Sequence, residues 1–224
     1  MNRYGFLRRI RTRTNPDRAG ASRPGSSRDR MGLDGLRELW GRAVFTVLDF
    51  ETTGLDSRED RICEIGAVRL SASGAETASL DLLVNPGLPI KPGASRVSGI
   101  TDEMVKDALP VEEALPELLA FMGDSVIVAH NASFDLGFLK AAAERAGLPA
   151  PSNLVADTRD LAREAFPGLP SYALQSLARS FCIPSGNAHR ACDDARTCAR
   201  LLVLCAQTLP AGESGAGTEN PGEP

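Results

Sequence analysis

In the first part of the folded region the hydrophobic residues form short continuous or alternating runs. Further along the chain they recur with the spacing of amphipathic helices. Residues 44–50 (VFTVLDF) are a β-branched and aromatic run, residues 61–70 alternate between apolar and polar, and residues 79–84 follow. These runs predict three consecutive strands. Two shorter apolar segments, residues 125–129 and 154–156, predict two more strands later in the chain.

Helices are predicted where apolar residues recur at intervals of three and four. The predicted helices are a short one capped by residues 101–103, then 111–122, 133–146, 158–166, 173–181 and 190–209. Residues 85–97 are rich in Pro and Gly and predict a connection. Strands that come first and then alternate with helices favour an α/β domain with a mixed sheet.

The two ends of the chain differ from its middle. Residues 1–42 hold eleven Arg and four acidic residues, a charge of +7, which leaves −11 for the rest of a chain of net charge −4. Residues 1–30 show no hydrophobic period and are interpreted as disordered, either a nucleic-acid-binding arm or, slightly favoured, sequence upstream of a start at Met31. The Gly- and Pro-rich residues 210–224 predict a disordered tail. We therefore expect an Arg-rich, disordered segment over 1–42 and a folded domain over 43–209.

Composition excludes several classes of protein. Hydrophobic residues are 42 % of the chain, enough to bury a core, but no apolar run approaches the roughly 18 residues that a membrane helix needs. The five cysteines contain no CxxC pair, which argues against a disulfide framework or a zinc ribbon. A reducing cytoplasm is the expected location, with no membrane partner.

Two acidic residues interrupt the first predicted strand. Asp49 and Glu51 flank Phe50, so the two-residue period of a strand places both carboxylates on one face. Like charges on a buried face repel each other, and burying them unpaired costs several kcal/mol. A bound hard cation would resolve that conflict, although a strand end that faces solvent explains a single pair as well.

Helical phase selects further candidates. Asp135 shares the apolar stripe of its predicted helix, and Asp194 shares the apolar stripe of the last one, whereas its neighbour Asp193 is predicted to face solvent. The only two histidines, His130 and His189, both lie beside these inward carboxylates. His189 comes five residues before Asp194, where a loop can direct it to the same site.

Five sequence blocks now match a known family. They are DFETTGL (49–55), EIGAV (64–68), VSGIT (97–101), AHNASFDLGFL (129–139) and HRACDDA (189–195). In this order and spacing they resemble the DEDDh, or DnaQ-like, 3′–5′ exonucleases, especially the proofreading epsilon subunit of bacterial DNA polymerase III and its stand-alone relatives. The resemblance extends from about residue 44 to residue 204.

The resemblance implies a ribonuclease-H-like fold, with a five-stranded mixed sheet flanked by helices. It also implies two divalent cations, Mg²⁺ or Mn²⁺. Asp49, Glu51 and Asp194 would bind one cation, and Asp49 would bridge to a second one held by Asp135. His189 would be the general base, a role that suits an imidazole of ordinary pKa about 6.5 near neutral pH.

Substrate contacts are implied less strongly. Thr52 resembles the family residue that contacts the terminal nucleotide, and Leu55 and Ile100 resemble the apolar residues on which the last bases stack. For these three residues a purely structural role is an equal alternative. Asn131 is expected to order the loop around Asp135. Three polar residues of the same blocks are interpreted as structural: Glu64, His130 and Asp157.

The predicted function is a metal-dependent 3′–5′ exonuclease that releases nucleoside 5′-monophosphates from single-stranded DNA, in proofreading or repair. The alternatives are an RNA 3′-end exonuclease and a non-catalytic relative that binds nucleic acid or a polymerase. A degenerate binder is expected to lack one of the five site residues, and none is missing. Because the domain is acidic, it should hold only the last few nucleotides, and a DNA polymerase subunit is a candidate partner.

Overall fold

A single mixed sheet forms the centre of the computed structural model, which describes residues 31–209. The strands are β1 Phe45–Thr52, β2 Ile62–Leu70, β3 Glu76–Leu83, β4 Val126–Ala129 and β5 Val155–Asp157. Their order is β3-β2-β1-β4-β5, with β2 antiparallel to β1 and β3, and with β4 parallel to β1 and β5. The predicted five-stranded mixed sheet is confirmed.

Helices cover both faces of this sheet. In the part of the chain that the structure describes they are α1 Leu33–Leu39, α2 Pro92–Ser98, α3 Asp102–Val105, α4 Val111–Met122, α5 Ser133–Arg145, α6 Thr158–Ala165, α7 Leu174–Ser180 and α8 Ala191–Gln207. Helices α4 and α5 pack on one face, and α1, α6, α7 and α8 pack on the other. None of these helices is long and apolar enough to cross a membrane.

The alternation of β1 decides which side chains face which layer. Leu48 and Phe50 belong to the core under α4 and α5, whereas Val47 belongs to the core under α8. Asp49 and Glu51 continue the series of Val47, two and four residues further along the strand. Both carboxylates therefore emerge on the α8 side of the sheet, near the end of β1.

Residues 31–42 correct one prediction about the ends of the chain. They were expected to be disordered together with residues 1–30, but they contain α1, whose Leu36 is fully buried against α6 and α8. Leu33, Leu36 and Leu39 recur every three residues and give α1 an apolar face. Residues 1–30 and 210–224 lie outside the described part of the chain, so the predictions of disorder there stay predictions.

A second difference lies in the connection predicted over residues 85–97. Helix α2 begins within it and extends to Ser98, because Pro92 is suited to the first helical position and Gly99 ends the helix with a left-handed φ of 73°. The composition of the segment had favoured a loop. Pro and Gly here mark the two ends of a helix.

Candidate active site

Four carboxylates from three elements meet near the ends of β1 and β4. Asp49 and Glu51 come from β1, Asp135 from the first turn of α5, and Asp194 from the first turn of α8. Asp135 is 2 % exposed, and its Oδ1 accepts a hydrogen bond from the backbone N–H of Phe50 at 3.2 Å. Asp135 thus reaches β1 between the two carboxylates of that strand.

Burial and mutual repulsion dominate the electrostatics of this cluster. Burial raises the pKa of Asp49 well above its ordinary value, and Asp135, Asp194 and Glu51 raise it further. Burial, followed by repulsion from Asp194, raises the pKa of Glu51 to about 8. Burial likewise raises the pKa of Asp135 to about 8 and that of Asp194 above its ordinary value. Hard divalent cations prefer carboxylate oxygens, and positive charge would relieve the repulsion, so this donor set fits them.

His189 lies at the open side of the same cluster. Ligand atoms of Glu51, His189 and Asp194 lie within 4.8 Å of one another. His189 is exposed and has a left-handed φ of 63°, which is uncommon for a residue with a side chain. Its backbone N–H donates to Asp194 Oδ2 at 2.8 Å, which holds this conformation. The structure therefore brings together all five residues that the sequence analysis assigned to metal binding and catalysis.

Glu64 anchors α8 and, with it, Asp194. Its buried carboxylate accepts hydrogen bonds at 2.9 Å from Arg190 Nε and from the backbone N–H of Ala191, the first residue of α8. Gly66, two residues further along β2, lets the helix lie directly on the strand, since a Cβ there would be 2.1 Å from the Ala191 carbonyl carbon. The structural interpretation of Glu64 is confirmed.

Gln175 is a contact that the sequence analysis missed. Its Nε2 donates to Asp194 Oδ1 at 2.6 Å, so both oxygens of Asp194 accept a hydrogen bond. The residue lies in α7, where nothing in the helical pattern singles out one glutamine. Only the packing of α7 on α8 reveals it.

The prediction for Asp193 is correct only in part. Its side chain points away from the cluster but is only 28 % exposed, and its Oδ2 accepts from the backbone N–H of Asn187. The loop before α8 folds back over this carboxylate and covers it. Thr197, one helical turn after Asp193 in α8, is fully buried.

A cavity of about 700 Å³ opens beside Glu51. Apart from Lys91 and Thr52, the residues that line it are apolar or acidic. The lining comprises Phe50, Glu51, Thr52, Gly54, Leu55, Asp56, Asp60, Lys91, Gly93, Ala94, Val97 and Phe134. Leu55 is 87 % exposed on the rim, as a residue that receives a ligand should be. Thr52 is nearly buried, and its hydroxyl donates to the Gly54 carbonyl at 2.6 Å.

Ile100 does not line this cavity, contrary to the role that the resemblance implied. It is fully buried and packs with Cys63, Ile90 and Val105, because the turn at Gly99 directs the chain inward. Val97, in the same sequence block, is 55 % exposed and lines the cavity instead. Phe134, next to Asp135, is a second apolar lining residue that the sequence analysis did not select.

Asn131 and His130 belong to the supporting structure. Asn131 has φ 71°, and its backbone N–H donates to Asp157 Oδ1 at 3.0 Å, while Ala132 N–H donates to Oδ2 at 2.9 Å. This pair of bonds to Asp157 orders the turn that leads to Asp135, and the role expected of Asn131 itself stays a prediction. Both ring nitrogens of His130 are engaged, with Thr158 Oγ1 and the Tyr172 carbonyl, so its structural interpretation is confirmed.

The fold and the cluster define a nuclease of the DEDDh, DnaQ-like class. Residues 46–202 match the family model described as Exonuclease (RNase_T), and the chain belongs to this family. It is 39 % identical over 165 residues to a PolC-type DNA polymerase III of Caldanaerobacter subterraneus, and 43 % identical over 183 residues to a candidate bifunctional exonuclease/endonuclease of Mycobacterium tuberculosis. These alignments cover 74 % and 78 % of this chain but only 12 % and 28 % of the relatives.

Solved structures support the same assignment. Exonuclease X in complex with 5′-overhanging duplex DNA is 32 % identical, with a TM-score of 0.60 over 73 % of this chain and 92 % of that one. Escherichia coli Exonuclease I in complex with a dT13 oligonucleotide shares the fold, with a TM-score of 0.67 at 21 % identity over 73 % of this chain and 41 % of that one. The predicted family membership and ribonuclease-H-like fold are confirmed.

Proposed function

We propose that this protein removes nucleoside 5′-monophosphates one at a time from the 3′ end of single-stranded DNA. The observation that carries the proposal is the position of the acidic cluster. Glu51 belongs both to the group of metal-ligating side chains and to the lining of the 700 Å³ cavity. A scissile phosphate at the cluster would therefore have a recess beside it for the nucleotide to be released.

The donor set suits two Mg²⁺ or Mn²⁺ ions. Asp49, Glu51 and Asp194 would hold one, and Asp49 together with Asp135 would hold the other. When bound, such ions supply a nucleophilic water and stabilise the charge that develops on the leaving 3′-oxygen. The chain's own contribution is to fix two of the four carboxylates, Asp135 through Phe50 N–H and Asp194 through the Gln175 side chain and His189 N–H.

His189 would take the proton of the attacking water at a ring nitrogen. Its exposed ring lies beside Glu51 and Asp194, and its backbone is held by the bond to Asp194 Oδ2. A neutral imidazole can accept a proton near pH 7, whereas carboxylates that hold cations cannot do so as readily. This assignment gives a catalytic role to one of the three described non-glycine residues that have a left-handed φ.

The cavity beside Glu51 would hold the terminal nucleotide through apolar contacts. Leu55 and Val97 are exposed on its walls and Phe134 lines it, so a base can pack there without sequence-specific hydrogen bonds. Base stacking on aromatic side chains tolerates all four bases, which suits an enzyme that degrades any sequence. Val97 replaces Ile100 in this proposal.

The relatives suggest a setting for the activity. PolC-type DNA polymerase III carries a similar domain as about a tenth of its length, and the solved Exonuclease X and I complexes contain DNA. We infer a role in DNA proofreading or repair, with a DNA polymerase subunit as a candidate partner. A separate partner would also supply affinity for long DNA, because an acidic domain binds the phosphate backbone weakly.

One gel assay tests the proposal. DNA and RNA oligonucleotides labelled at the 5′ end are incubated with Mg²⁺, Mn²⁺ or EDTA, and a DNA ladder shortening from the 3′ end in either metal is expected. With a second set of oligonucleotides labelled at the phosphate before the 3′-terminal nucleotide, the released product should co-migrate with nucleoside 5′-monophosphates. Faster degradation of RNA than of DNA would overturn the substrate assignment, and hydrolysis in EDTA would overturn the metal assignment.

A further inference from the structure

Lys91 stands out in the lining of the cavity beside Glu51. The other charged residues that line the cavity are acidic: Glu51, Asp56 and Asp60. A nucleic acid strand brings one negative charge per phosphate, so this acidic lining opposes its approach. Lys91 is the lining residue that can offset that charge.

A buried carboxylate holds the Lys91 ammonium in place. Asp60 is 2 % exposed, and Lys91 Nζ lies 2.8 Å from its Oδ1 and 2.9 Å from its Oδ2. Asp60 also accepts hydrogen bonds from Thr53 Oγ1 and from the backbone N–H of Asp56, both at 3.1 Å. Burial alone would raise the pKa of Asp60, but these hydrogen bonds outweigh it and lower the pKa, so the anchor is an ionised carboxylate.

The backbone of Lys91 is fixed as well. Its N–H donates to the Thr53 carbonyl at 3.1 Å, and Pro92 follows as the first residue of α2. Thr53 is two residues after Glu51, a backbone distance of at most about 7 Å. The backbone of Lys91 is therefore bonded two residues away from Glu51, and its side chain belongs to the lining of the same cavity.

Neutralising Asp60 would explain the ion pair but not the exposure of Lys91. An ammonium carries three N–H groups, the two short contacts engage it with Asp60, and 60 % of the side chain remains exposed. We propose that Lys91 binds a backbone phosphate of the strand whose 3′ end occupies this cavity, and that Asp60 positions its ammonium. This inference rests on the proposed function, because it takes the ligand to be a nucleic acid.

Salt dependence distinguishes a phosphate contact from a structural ion pair. Binding of a 5′-labelled oligothymidylate is measured by fluorescence anisotropy in EDTA over a series of KCl concentrations. Neutralising one phosphate on a single strand changes the slope of log Kd against log salt by about 0.7. We expect the slope of log Kd against log salt to be smaller by about 0.7 for Lys91→Met than for the wild type. The variant should also bind the oligonucleotide roughly 5- to 20-fold more weakly at low salt.

A double variant removes the structural explanation. Lys91→Met alone leaves the buried Asp60 carboxylate without its cation, whereas Lys91→Met with Asp60→Asn leaves no unpaired charge. The double variant should unfold at the wild-type temperature and still show the reduced slope, whereas Asp60→Asn alone should keep the slope. Lys106→Met is the control for loss of one surface charge, since Lys106 pairs with Glu103 outside the cavity.

The outcomes separate this inference from the proposed function. Wild-type affinity and slope in the double variant would overturn the phosphate contact and leave Lys91 as a partner of Asp60 only. Hydrolysis by the wild-type protein would be untouched by that result. Conversely, a wild-type protein that binds the oligonucleotide with the expected slope but never shortens it in Mg²⁺ or Mn²⁺ would overturn the exonuclease proposal while supporting the role of Lys91.

Discussion

Replacing the buried carboxylate of Asp135 by an amide should stabilise the metal-free protein. Burial raises the pKa of this group to about 8, far above the value of about 3.9 in an unfolded chain. The folded protein therefore binds a proton that the unfolded protein does not bind between those two pH values. By linkage, the free energy of unfolding falls as pH rises through this window.

The magnitude follows from the proton count. One proton bound on folding is worth about 1.4 kcal/mol per pH unit, so from pH 5 to pH 7 the wild-type protein should lose about 3 kcal/mol through Asp135. Asp135→Asn has no such loss, and its Oδ1 can still accept from Phe50 N–H. Relative to the wild type, the variant should gain roughly 5–10 °C in Tm between pH 5 and pH 7 in EDTA.

Asp157 is a matched control, because it is also fully buried but has the opposite surroundings. Its Oδ1 accepts from the N–H groups of Asn131 and Arg159, and its Oδ2 accepts from Ala132 N–H. An amide nitrogen at either position would face an N–H donor, which costs about 1–3 kcal/mol. Asp157→Asn should therefore be destabilised at every pH in that range.

Thermal unfolding followed by circular dichroism at pH 5, 6 and 7 decides between these expectations. Added Mn²⁺ should raise the Tm of the wild-type protein, and raise that of Asp135→Asn by less, because one ligand of the second cation is lost. Equal pH dependence of Tm in the wild type and Asp135→Asn would show that no extra proton is bound at Asp135. That result would contradict the raised pKa of this carboxyl group.

Other variants test the roles of individual residues. Asp194→Ala should abolish hydrolysis, whereas Asp193→Ala should keep more than half of the wild-type activity, because only Asp194 faces the cluster. If the gel assay gave the reverse, the assignment of Asp194 would be wrong. His189→Ala should lower the single-turnover rate roughly 10²- to 10⁴-fold, the usual effect of losing a general base, with Mn²⁺ affinity by calorimetry nearly unchanged. Leu55→Ala should raise KM for single-stranded DNA several-fold, because its exposed side chain lies on the cavity rim. Ile100→Ala should instead lower the free energy of unfolding by about 2–5 kcal/mol, measured by urea titration, since that side chain is fully buried.

The orientation of the metal-binding candidates could be predicted from periodicity, whereas their metal-binding role was implied by the family resemblance. Asp49 and Glu51 share a face of β1 by the two-residue period, and Asp135 and Asp194 lie on the apolar stripes of α5 and α8. The same reasoning was only partly correct for Asp193, because helical phase cannot anticipate a loop that folds back over a helix.

Side chains in irregular segments could not be assigned in this way. Ile100 and Val97 are both apolar members of one short block, and the left-handed turn at Gly99 decides which of them is buried. Similarly, Lys91 and Asp60 are 31 residues apart in sequence, and no local pattern indicates that they pair. Such contacts depend on tertiary packing.

The packing of α8 on β2 determines at which stage of synthesis the acidic cluster can be complete. Asp194 enters the site only after Ala191 has docked against Glu64 and Gly66, which lie some 125 residues earlier in the chain. A ribosome that has made β1 through α7 has produced the sheet and three of the four carboxylates, but no complete site. The proposed exonuclease activity would thus be acquired with the last described helix, and any nascent or truncated chain without that helix should be inert toward DNA.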